Sequence, residues 1–174
     1  MKLTKMFLVL ASLGALFVAT DGATLAAPVT FTVSTSVIGN CLVSSAGDIT
    51  FPAYDPLSTS ATTANADVTI KCTVNQVPKI SLDYGVHGGA GLYNYMKASG
   101  STDTLQYQIF QPTGPKPASN SGTQWNGKQF TGAAAPATTP IPAIAYTMYG
   151  QIPAGQNVSV DSSYSDTVTV TVDL

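Results

Sequence analysis

Alternation of apolar and polar residues with a period of two runs through most of this 174-residue chain, and it constrains the fold more tightly than any other feature. Successive side chains of an extended strand point to opposite faces, so such runs build sheets with one apolar face and one wet face. The clearest run is Asp166-Thr-Val-Thr-Val-Thr-Val-Asp-Leu174, where Val168, Val170, Val172 and Leu174 share a face and the threonines mostly take the other. Residues 68–74, 80–84, 104–110 and 144–149 follow the same rule. Turn chemistry separates them at Phe51-Pro52, Val77-Pro78, Gly88 to Gly91, and Ile152-Pro-Ala-Gly155. Six or seven short strands between such turns predict an all-β sandwich.

The charges agree with that class. All nine acidic residues are Asp, all seven basic ones are Lys, and there is no Glu or Arg. The chain therefore lacks common helix-forming surface residues, while Thr, Ser, Val, Gly and Asn favour strands and turns. It also lacks the bidentate reader of phosphate and guanine, and its net charge is negative, which argues against a nucleic-acid partner. With 44% hydrophobic residues the chain has enough apolar side chains for one ordinary domain.

The first residues set the compartment. Lys2 and Lys5 precede an uncharged apolar run from Met6 to Ala19, followed by small residues at Thr24, Ala26 and Ala27. This reads as a secretory signal peptide over residues 1–26, cleaved after Ala26 so that Pro28 does not follow the cut. The run is about 14 residues, short of the roughly 20 needed to span a bilayer, and no later stretch is as long and apolar. Two cysteines remain after processing, Cys41 and Cys72, and an even count in an exported chain reads as one disulfide. Cys72 is in phase with Val68, Ile70 and Val74, so its sulfur is expected to point inward and staple that strand to the segment containing Cys41.

Residues 111–142 interrupt the alternation with six prolines among Gly, Ser, Ala and Thr, and read as a long loop within one sandwich, with Trp125 and Phe130 folding part of it back onto the sheet. Catalysis finds few candidates. His87 is the sole histidine, it sits beside Gly88 and Gly89, and no Gly-x-Ser-x-Gly elbow exposes a serine. Asp83, Asp103, Asp161 and Asp166 show no spacing that pairs them, and Tyr164 and Asp166 read as packing and turn residues at the entry to the last strand. No enzyme, metal or cofactor is expected. A monomeric carbohydrate-binding module that stacks sugars on Tyr93, Tyr95 and Trp125 is the alternative from a different class.

The segment before Cys41, Pro28-Val-Thr-Phe-Thr-Val-Ser-Thr-Ser-Val-Ile38, puts Val29, Phe31, Val33, Thr35 and Val37 on one face. By itself it suits an ordinary first strand. Taken with Val68-Thr-Ile-Lys-Cys72, Asp103-Thr-Leu-Gln-Tyr-Gln-Ile-Phe110, Tyr149-Gly-Gln-Ile-Pro-Ala-Gly-Gln156 and Tyr164-Ser-Asp-Thr-Val-Thr-Val-Thr-Val172, it resembles the spore coat protein U family. That family includes the major subunits of archaic, Csu-type chaperone–usher pili. Where its members often carry Trp-Gly-Asp-Gly, this chain has Gln124-Trp125-Asn126-Gly127.

The resemblance implies an incomplete immunoglobulin-like sandwich over residues 39–174, completed by residues 27–38 of a neighbouring subunit. Val29, Phe31, Val33, Thr35 and Val37 would be the donor side chains. It further implies a fibre on the cell surface that serves adhesion or biofilm formation. The implied partners are copies of this chain or related pilins, a periplasmic chaperone that lends a strand, and an outer-membrane usher. A secreted spore coat or matrix component is the second reading within the family. A one-residue slip of the donor would turn Thr30, Thr32, Ser34 and Ser36 inward, so the apolar register is expected.

Overall fold

A computed structural model describes residues 29–88, 91, 93–112, 122–161 and 163–174; the expected leader lies outside them, as does part of the 111–142 region. The chain divides into two units, Met1–Ser36 and Val37–Leu174. Residues 29–36 of the first carry no strand, and their apolar side chains Val29, Phe31 and Val33 are bare: Phe31 is 87% exposed. The alternation there suits a strand, but a strand needs a neighbour to take up its N–H and C=O groups.

The second unit is all β. Its described strands are β1 (Cys41–Ala46), β2 (Thr62–Cys72), β3 (Lys79–Leu82), β4 (Asn94–Ala98), β5 (Thr104–Phe110), β6 (Gln129–Thr131), β7 (Ile144–Ile152), β8 (Tyr164–Ser165) and β9 (Val170–Asp173). Six form one sheet in the order β1-β2-β7-β5-β4-β8, and three form a second in the order β6-β3-β9. All of these pairings are antiparallel.

Alternation sets the inner faces. Val68, Ile70 and Cys72 of β2, Leu105, Tyr107 and Ile109 of β5, and Tyr146, Met148 and Ile152 of β7 are buried, and Ile80 and Leu82 meet them from the small sheet. Cys41 and Cys72 lie opposite each other in the β1–β2 ladder and are joined as a disulfide. Closing about 30 residues stabilises the fold by roughly 3 kcal/mol if chain entropy dominates.

Two expectations need correction. The run 166–174 is not strand along its whole length: only Val170–Asp173 form β9, which pairs with β3 of the small sheet, whereas β8, just before the run, pairs with β4 of the large one, so the chain changes sheets as it enters the run. Nor is 111–142 simply a loop. Within it Phe130 joins β6 and pairs with Ile80, while Trp125 is fully buried and donates its indole N–H to the Ile80 carbonyl at 3.0 Å. Asn126 accepts from the Ile109 N–H at 3.1 Å and donates to the Asp83 carbonyl at 3.1 Å. Trp125 and Asn126 therefore clasp the two sheets together. Gly127 sits at φ +64°, where a Cβ would run into the Tyr84 ring, so glycine is required after them. A buried Trp125 offers no surface for stacking a sugar, which removes one of the three aromatics the carbohydrate reading needs.

Candidate functional site

Where the two sheets fail to meet, a cleft of about 700 Å³ opens between residues 46–54 and residues 163–170. Leu82, Leu105, Ile109, Met148 and Ile152 form its floor. These are core side chains of both sheets, so the cleft is a gap in the core itself.

One wall begins where β1 ends. The Gly47 N–H is held by the Asp67 carbonyl of β2 at 2.9 Å, after which the chain leaves the sheet. Ile49 and Phe51 alternate inward and settle over Gly150 of β7, where a Cβ would stand 2.6 Å from the Phe51 ring and 2.8 Å from Ile49. Phe51 also meets Tyr107 edge to face, with centroids 6.5 Å apart. The wall ends at Tyr54, whose hydroxyl donates to the Pro153 carbonyl at 3.1 Å and accepts from the Gln156 N–H at 2.7 Å.

The opposite wall is the stretch between β8 and β9. Its outer edge is occupied: the Thr167 carbonyl accepts from Val86 N–H, the Thr169 carbonyl accepts from Asp83 N–H, and Thr169 N–H donates to the Asp83 carboxylate. Between these bonded positions Val168 lines the cleft. Its side chain, with that of Val170, packs against the core.

At the head of this wall Asp166, whose side chain is 2% exposed, accepts from the Tyr107 hydroxyl at 2.6 Å and from the His87 N–H at 3.1 Å. Burial, and then the bond to Asp166, push the Tyr107 hydroxyl pKa well above its usual value. The His87 ring lies 3.2 Å from the same carboxylate. A base and an orienting acid are thus adjacent, but no serine hydroxyl bonds the ring among the described residues. Nor do three His, Cys or Asp side chains converge there as a metal site would require. The cleft thus combines an apolar floor with a buried carboxylate held by Tyr107 and His87 at its head.

Of the residues singled out in the sequence, Cys41 and Cys72 are joined, and Asp166 and Tyr164 stand at the entry to the last strand. Val29, Phe31, Val33, Thr35 and Val37 are exposed. The sequence reading missed the wall. Ile49 and Phe51 form an alternation too short to register before Pro52 breaks it, and Tyr54 and Gln156 are far apart in the chain.

This architecture defines a structural class: an all-β, immunoglobulin-like domain with an open groove in its core. Residues 27–171 match the Spore Coat Protein U domain, and the chain belongs to that family. It is a family of structural proteins, and the chain is not an enzyme. Among solved structures, the fold is similar to a chain in the crystal structure of the CsuC–CsuE chaperone–tip adhesion subunit pre-assembly complex from archaic chaperone-usher Csu pili of Acinetobacter baumannii. That match has a TM-score of 0.53 and 23% identity, covering 80% of this chain and 40% of that one. A chaperone–tip adhesin complex of CFA/I fimbriae matches with a TM-score of 0.47 and 10% identity, covering 77% and 40%. The chain thus spans about 40% of the length of these solved chains. No curated protein matches the sequence.

Proposed function

We propose that this protein is a structural subunit of a chaperone–usher surface fibre, polymerising by donor-strand exchange. Residues 27–38 of one copy enter the groove of the next. The observation that carries the reading is the presence of two features in one chain: a strand-like segment with bare apolar side chains, and a groove with an apolar floor and a wall, residues 48–54, whose backbone joins neither sheet among the described residues. The dimensions agree. Val29 to Val37 would span about 30 Å when extended, and the wall formed by residues 46–54 has the same number of residues. Burying four or five such side chains at roughly 1.5–3 kcal/mol each, together with a new backbone ladder, supplies a gross stabilisation on the order of 10 kcal/mol.

A groove that exposes backbone edges needs cover before assembly. Unpaired strand edges template aggregation, so a periplasmic chaperone that lends a strand, and an outer-membrane usher that exchanges it, follow from this reading. The solved relative in the CsuC–CsuE complex, described as a chaperone–tip adhesion subunit assembly, supports the first of these partners. Export across the periplasm to the cell surface and a role in adhesion or biofilm formation complete the proposal.

Phe31 is the largest donor side chain, and a carboxylate in its place would have to be buried unpaired. Phe31→Asp is therefore expected to lower polymer yield at least about 10-fold, as losing 1.5–3 kcal/mol would. The variant subunit should still be recovered folded with its chaperone. Unchanged polymer yield would remove Phe31 from the donor assignment.

A further inference from the structure

We propose that Tyr54 is a positioning residue of the groove: its hydroxyl pins the wall of residues 47–54 to the 153–156 turn and so fixes the edge that an incoming strand must meet. This rests on the strand-accepting reading above.

The wall is held in an unusual way. Gly47 is tied to β2, but among the described residues no backbone hydrogen bond joins residues 48–54 to either sheet. The middle is kept in place by packing alone, through Ile49 and Phe51 over Gly150. The far end is kept by one side-chain group, the Tyr54 hydroxyl, which uses both its donor and an acceptor site on the same turn. That turn is a firm anchor. Gly155 takes a φ of +74° to make it. Gln156 then turns back so that its side-chain amide pairs with the N–H and the C=O of Gln106, at 2.7 and 2.9 Å, as a neighbouring strand would where β7 has ended. The Ile-Pro-Ala-Gly-Gln156 stretch thereby gains a role that its turn chemistry did not reveal.

Seven residues of unladdered backbone are what a donor strand needs to find, provided they are already extended and at the right distance from Val168. Without the Tyr54 tether those residues must be ordered at the moment of binding, and that ordering cost is subtracted from affinity.

The test uses the full chain, wild type and Tyr54→Phe, with a fluorescent peptide of the sequence of residues 28–38 added in excess as the probe. The variant keeps the ring and loses the hydroxyl. Peptide affinity is expected to fall about 5- to 10-fold, the equivalent of one hydrogen-bonded tether of about 1–1.4 kcal/mol. In the unliganded variant, amide hydrogen exchange should accelerate in residues 48–54 and stay unchanged in β2, β5 and β7. Equal peptide affinity for the two proteins would overturn the assignment. So would an affinity loss accompanied by faster exchange throughout β2, β5 and β7, since that pattern marks a general loss of stability. A wild-type chain that binds no peptide would overturn the strand-accepting reading itself, and this assignment with it.

Discussion

Aspartate is the sole acid here, and five aspartates use their short arm to accept from backbone N–H groups, both within turns and across the fold. Asp55 accepts from Leu57, Asp83 from Gly85 and Thr169, Asp103 from Ser159, Asp161 from Gly100 and Ser163, and Asp166 from His87. Glutamate, one methylene longer, fits such turns less well. Trp125 shows a second residue-scale device, an apolar body filling the core and a polar edge that reaches β3. Trp125→Ala is expected to cost about 3–5 kcal/mol, measured by urea unfolding followed by circular dichroism. A cost below 1 kcal/mol would mean that the clasp between the sheets does not depend on the indole. That Trp125 anchors the 111–142 region was legible in the sequence, because one large aromatic among small residues has few other uses. Its partner Ile80 was not, since 45 residues separate them and no local pattern links the two.

Among the elements, the junction of β3 and β9 is made sensitive to pH by Asp83. Burial pushes the Asp83 carboxyl pKa up, but bonds from the Thr169 N–H and hydroxyl and from the Gly85 N–H outweigh it and hold the pKa below 3.8. Asp103 is lowered as well, by the Ser159 hydroxyl and N–H. A carboxyl with a depressed folded-state pKa contributes stability above its unfolded value, and that contribution is lost as pH falls through the folded value. The urea midpoint should therefore drop as pH falls below about 4, and Asp83→Asn should flatten part of that drop. An identical pH profile in wild type and variant would refute the role given to Asp83. Alternation foretold most of the side chains of 166–174 that face the core: Val168, Val170 and Val172 pack against it, whereas Leu174, expected on the same face, is exposed. It could not foretell the change of sheet, because a period of two assigns faces and says nothing about which strand lies alongside. β6 escaped for a plainer reason: three residues are too few to show a period.

At the scale of the whole molecule, the proposed function joins the open groove of one copy to the N-terminal segment of another. The incomplete immunoglobulin-like sandwich was legible through the resemblance to a known family, and the structure shows an all-β fold with an open groove in its core; the donor segment stays part of the proposal. Residues 29–36 carry no strand, and among the described residues no backbone hydrogen bond joins residues 48–54 to either sheet. The most direct test is an unheated denaturing gel of the mature protein from its native host, comparing the intact chain with one lacking residues 27–38. Donor-strand assembly predicts a heat-sensitive ladder for the intact chain and none for the deletion, with the shortened subunit still recovered beside a periplasmic partner. A folded monomer in both lanes would contradict it and show a sandwich complete in itself.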